Sequence, residues 1–148
     1  MYKVKFYAGS YRDRQTEANR DGAICFVAHH FNSSSHASAD YTLCVVASNA
    51  SARSKEWARD YVQQVAQAFG VPLFGADGVC IGGMGGRGNS QISHTNMPAI
   101  LPESLFCSNQ DHARILRSDH GRRGCRACPQ EQKGRRVGKE EVRQHGCN

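Results

Sequence analysis

The spacing of hydrophobic and polar positions changes several times along the chain. Residues 2–8 (YKVKFYA) alternate apolar and polar side chains, the period-two pattern of a strand. Ser10 to Arg20 is polar and reads as a short helix, with Asp21-Gly22 as its stop. Residues 23–29 (AICFVAH) form a nearly continuous apolar run, the mark of a strand buried on both faces, as in a parallel sheet. The Ser-rich segment from Phe31 to Asp40 reads as a loop, and residues 41–47 (YTLCVVA) as another strand.

The clearest helix follows. Trp57, Tyr61, Val65 and Phe69 recur every fourth residue, with Val62 and Ala66 beside them, so one face packs into the core. Ser51 or Asn49 can cap its start; Gly70 follows its end, and Pro72 prevents continuation. Residues 75–90 (GADGVCIGGMGGRGNS) are too glycine-rich for a regular helix or a long strand. Residues 99–107 (AILPESLFC) read as a strand, with Pro102 arguing for an edge position or an irregular end. Ser108 or Asn109 can cap a final short helix to about Arg117. From Asp119 onward there is no aromatic residue, and Val137 and Val142 are the only large aliphatics. That segment has too little apolar surface to offset its ordering entropy and is expected to be disordered or loosely helical. The order strand, helix, strand, strand, helix, strand, helix predicts an α/β layer fold with a partly parallel sheet over 1–118 and a basic, irregular tail over 119–148.

Composition refines this picture modestly. A chain of 148 residues suits one domain with a real core. Its net charge of +6 divides unevenly, +2 over residues 1–118 and +4 over residues 119–148. A soluble body with a basic tail accounts for that, although basic proteins also favour nucleic acid, membrane surfaces or anionic wall polymers. No stretch approaches the roughly 20 apolar residues of a membrane span. The N-terminus lacks the apolar core and cleavage site of a signal peptide, so the chain as written is expected to stay in the cytoplasm. Seven cysteines are an odd number, and without an export signal free thiols are expected rather than a disulfide framework. Cys25, Cys44, Cys80 and Cys107 lie in apolar runs, where cysteine acts as a small hydrophobe.

Four features could carry chemistry. His29-His30-Phe31-Asn32 follows a buried strand, and ligand sites in open α/β sheets gather at the carboxyl ends of strands. A histidine there can bind zinc or be an ordinary structural residue. Glu103 stands inside an apolar run, where desolvation raises a carboxyl pKa and suits it to general acid or base work; the alternative is a strand-end carboxylate reaching water or an arginine. Cys125 and Cys128, followed by His145 and Cys147, offer four possible zinc donors, but the second pair matches no common spacing. The run Gly82 to Gly88 imitates a phosphate loop but lacks its Gly-Lys-Ser/Thr ending, so a flexible loop or a substrate edge fits better.

The run from His94 to Asn109, HTNMPAILPESLFCSN, resembles the late motif of zinc-dependent N-acetylmuramoyl-L-alanine amidases, with Met97-Pro98-Ala99, Glu103, Phe106 and Ser108-Asn109 in register. Arg14, Ala18-Asn19 and the segment Asp21 to Asn32 resemble that family's arginine-bearing helix and the strand ending in His-x-Asn. The likeness extends over about residues 2–118 and implies an open, mostly parallel sheet flanked by helices. It implies Glu103 as the catalytic residue and His30, or its neighbour His29, as a zinc ligand. Asn32 and the glycine loop would line the substrate groove. The implied reaction is metal-assisted hydrolysis of the amide between N-acetylmuramic acid and L-alanine in peptidoglycan, which the family performs at the cell wall. Nucleic acid is not the partner this resemblance implies. Family members bind zinc through His, Glu and a second His; the first two have no counterpart here, and Glu17, on the helix, does not match. An incomplete zinc site is therefore expected, on a chain beginning at the family's second strand. Two other readings stay open: a non-catalytic remnant of the fold that binds wall fragments or a partner, and a small zinc or nucleic-acid binder built on the Cys-rich tail.

Overall fold

The computed structural model describes residues 3–121. Three helices and five strands form one open sheet with helices against both faces. Helix α1 (Tyr11–Arg20) begins at Ser10, whose hydroxyl accepts from the Asp13 N–H while Asp13 reaches back to the cap, and ends at Asp21. Strands β1 (Phe26–Val27) and β2 (His30–Asn32) both run parallel to β5 (Ala99–Phe106). Strand β3 (Leu43–Val46) pairs antiparallel with β5 and parallel with β4 (Val79–Ile81), giving the order β1-β5-β3-β4, with β2 continuing alongside β5. Helix α2 (Ala52–Phe69) starts at Ser51, whose hydroxyl accepts from the Ser54 N–H, and ends at Gly70. Helix α3 (Gln110–Arg117) starts at Asn109.

Alternation along β5 sorts the core. Ala99 and Leu101 join Leu43, Val45, Phe26, Ile92 and Ala18 on the face covered by α1. Ile100 joins Cys44, Val46 and the α2 residues Ala58, Tyr61, Val62 and Val65 on the opposite face. The stripe read on α2 is thus a core stripe: Tyr61 and Val65 are buried, and Trp57 and Phe69 pack at its margins.

Several expectations needed correction. Residues 3–8 form no strand, although their alternation is real: Lys5 and Tyr7 both engage Asp21, while Val4 and Phe6 face solvent. A strand needs a neighbouring backbone to complete its ladder, and among the described residues none pairs with this segment. Only Phe26–Val27 of the apolar run at 23–29 is strand, β1; β2 begins just beyond the run at His30, after Ala28 and His29. The glycine-rich stretch contains a strand, β4, that its composition concealed, as well as 3₁₀ turns at Met84–Gly86 and Asn89–Gln91.

Pro102 does not mark an edge; it sits in β5, which is paired on both sides. The Cys44 N–H donates to Gly78 on the β4 side, so Cys44 and Pro102 face each other without needing a bond between them. The proline's missing N–H instead points to the β1–β2 flank, just beyond the bond from the Ala28 N–H to the Ile100 carbonyl, where the ladder is interrupted before His30. Cys25 and Cys107 are exposed rather than core hydrophobes, whereas Cys44 is fully buried. The tail cysteines Cys125, Cys128 and Cys147, with His145, lie outside the described residues. No helix among the described residues is long and apolar enough to cross a membrane.

Asn109 ties the end of β5 to the loop after β2. Its side-chain oxygen accepts from the N–H groups of Asp111 (2.9 Å) and His112 (3.2 Å), and its amide donates to the Ala39 carbonyl (3.1 Å). Asn109→Ala should cost about 1–2 kcal/mol through the lost cap and the orphaned carbonyl, measurable as a lowered denaturation midpoint.

Candidate functional site

The parallel register of β2 on β5 places His30 directly beside Glu103. Glu103 also pairs with Leu43 on its other flank, so it lies in the middle of the sheet, on the face opposite α2. Burial removes water from the carboxyl group: Oε2 is buried and accepts no hydrogen bond among the described residues. Desolvation pushes the Glu103 pKa up to about 7, and the nearby positive charge of Arg87 offsets part of that rise. A carboxyl poised near neutral pH can both take and return a proton.

The two neighbouring histidines part to opposite faces. His30 Nε2 lies 2.8 Å from the Gln91 side-chain oxygen, on the Glu103 face. His29 Nε2 lies 3.1 Å from the Tyr61 hydroxyl, on the α2 face, and that hydroxyl is 3.0 Å from Ser104 Oγ. The His29 ring packs edge-on against Phe31 and Tyr61; desolvation, with the neighbouring His30, lowers its pKa. The neighbour of Glu103 is therefore His30, and His29 belongs to the packing beneath it.

The remaining candidates lie apart from this pair. The Asn32 side-chain oxygen accepts from the Ser33 N–H at 2.8 Å, and its carbonyl accepts from the Cys107 N–H at 2.8 Å, so Asn32 shapes the end of β2. Glu17 is on α1. Arg87, part of the glycine run expected to line the substrate groove, and Gln91, which the sequence did not single out, come to the site from that loop.

The donor set bears on the expected zinc. His30 is the candidate ligand, with Glu103 beside it, and the described residues contain no cluster of three His, Cys, Asp or Glu able to hold a metal ion. A catalytic zinc takes three protein donors plus water. These residues by themselves do not fit it.

The fold defines an α/β domain with an open, mostly parallel sheet, and its candidate site centres on a desolvated carboxyl of the central strand. Residues 3–127 match the family model described as N-acetylmuramoyl-L-alanine amidase, and the chain belongs to that family. No curated protein sequence matches the chain. Among solved structures, it is similar to the catalytic domain of CwlV, an N-acetylmuramoyl-L-alanine amidase from Bacillus (Paenibacillus) polymyxa, at a TM-score of 0.63 and 24% identity, covering 80% of this chain and 62% of that one. The amidase of Clostridium difficile 630 matches at 0.64 and 21%, over 80% of this chain and 62% of its own. Ami1 of Mycobacterium smegmatis matches at 0.65 and 18%, over 78% and 54%. The chain thus spans less than two thirds of the length of these structures, and at such identities the likeness is one of fold.

The raised Glu103 pKa has a consequence for stability. The folded state holds the proton more tightly than the unfolded chain, so the contribution of this group is fully present below pH 4.5 and is lost as pH rises through about 7. Glu103→Gln, neutral at every pH, should therefore stabilise the protein at pH 8 by on the order of 1 kcal/mol, allowing for solvent screening of a half-buried group, and give no gain at pH 4. Chemical denaturation at the two pH values reads the difference.

Proposed function

We propose that this chain is a peptidoglycan amidase domain that cleaves the amide between the lactyl group of N-acetylmuramic acid and the L-alanine of the stem peptide. The observation that carries this reading is the desolvated Glu103 carboxyl, held beside His30 on the sheet of an amidase-family fold. In the ionised form Glu103 takes a proton from a water that adds to the amide carbonyl. It then gives that proton to the departing nitrogen as the C–N bond breaks, leaving a lactyl carboxylate and a free L-alanyl amine.

The family's zinc would polarise the carbonyl and acidify the water. His30 is the donor this chain offers it, and the remaining donors are not among the described residues. No step here is assigned to the metal. That shortfall favours a second reading, in which the fold binds muramoyl peptides without turning them over.

Release of stem peptides from purified peptidoglycan distinguishes the two. The amidase reading expects release by the full chain and a fall of roughly 10²–10⁴-fold in Glu103→Gln. Metal content measured beside it should drop on His30→Ala, and not on replacement of Cys125 and Cys128 by Ser. Wild-type protein that binds peptidoglycan but releases nothing would establish the binding reading. Release unchanged in Glu103→Gln would remove Glu103 from the chemistry.

A further inference from the structure

The loop between β4 and β5 is held more firmly than its glycine content suggests. Asn89 accepts the Ser48 N–H at 2.8 Å at the end of β3. The Ser90 carbonyl accepts from the Gln15 side chain of α1 at 2.9 Å. Gln91 meets His30 of β2 at 2.8 Å. Three consecutive residues are thus tied to three different elements around Glu103. Upstream, Gly83 has a φ of 78°, and a Cβ there would lie 1.8 Å from the Arg87 carbonyl oxygen, so the turn that delivers Arg87 closes only around a glycine. Gly88, with a φ of 88°, lies over Leu101 and Val45, bringing the loop backbone onto the Glu103 face of the sheet.

Arg87 projects from this fixed frame. It is exposed, and among the described residues its guanidinium forms no ion pair or hydrogen bond. It is nevertheless near enough to Glu103 for its charge to favour the ionised carboxylate. A planar, always-charged fork without a partner, beside the reacting position, is suited to an incoming carboxylate.

We propose that Arg87 is a specificity-determining anchor for a carboxylate of the stem peptide, so that this site selects muramoyl peptides carrying a free carboxylate over their amidated counterparts. The inference rests on the peptidoglycan reading above and names the chemical group that reading leaves open. The stem peptide enters with its scissile amide at Glu103 and a downstream carboxylate at the guanidinium. The anchored loop fixes the distance between the two, so binding energy at Arg87 also helps to position the amide.

Calorimetry on full-length Glu103→Gln protein tests this, since the ligand then persists. The probes are an N-acetylmuramoyl dipeptide ending in a free α-carboxylate and the same compound with that group amidated. The acid form is expected to bind roughly tenfold more tightly, with an advantage that shrinks as salt rises. Adding Arg87→Ala should erase the preference to within about twofold while leaving affinity for the amide form unchanged. Arg87 is exposed, so its truncation should leave the denaturation midpoint in place, and that control identifies misfolding. Equal binding of both forms by the Arg87-containing protein, or a preference that survives Arg87→Ala, overturns the anchor while leaving the peptidoglycan reading intact. Binding of neither form overturns both.

Discussion

A half-buried carboxyl group on the central strand, with one oxygen shut away from water, is the constraint on which the rest of this structure turns. Glu103 is flanked on one side by Leu43 of β3 and on the other by His30 of β2, so water reaches it poorly from either edge. An ionised carboxylate is costly in such a place, and the fold responds by raising its pKa to about 7, so that both protonation states are populated near neutral pH. The surrounding elements follow from keeping that position intact. Helix α2 covers the opposite face, the Tyr61 hydroxyl ties His29 to Ser104 beneath the site, and the glycine-rich loop carries Arg87 and Gln91 over the top. A site that held Glu103 equally well at a sheet edge would let water lower its pKa and lose its capacity for proton transfer near pH 7.

Much of this was legible in the sequence where local signals and the tertiary fold agree. Helix α2 declared itself through Trp57, Tyr61, Val65 and Phe69 and through its end signals, because its apolar face is its tertiary contact. Ser10, Ser51 and Asn109 serve as helix caps in the manner their short polar side chains suggest. Where pairing partners decide, local pattern fell short. Lys3 to Ala8 alternates as a strand would, yet lacks a ladder partner, and Pro102 is tolerated in a central strand because its neighbour is interrupted at Ala28 and His29. The Glu103 chemistry was readable because a carboxylate in an apolar run is conspicuous. Gln91 was not, and Arg87 showed only as part of a loop at a substrate edge, since glycine-rich loops reveal flexibility in sequence and show their anchoring only in three dimensions.

Family membership and the metal site pull in different directions. The match over residues 3–127 and the fold likeness to several amidases place the chain in the amidase family. The described residues nevertheless gather no group of three His, Cys, Asp or Glu, where a catalytic zinc takes three protein donors. Meanwhile His30 Nε2 is engaged by Gln91, which satisfies a ring nitrogen that would otherwise be open to a metal. The described residues thus supply the carboxyl that the proposed proton transfer needs more fully than they supply donors for a metal.

The most direct measurement is the titration of the Glu103 carboxyl by ¹³C NMR on the intact chain, assigned by comparison with Glu103→Gln. A midpoint near 7, well above the 4.5 of an unperturbed glutamate, is the result that burial on the central strand requires. A midpoint near 4.5 would mean that the carboxyl is solvated, and would contradict both the site geometry and the proton-transfer role assigned to it.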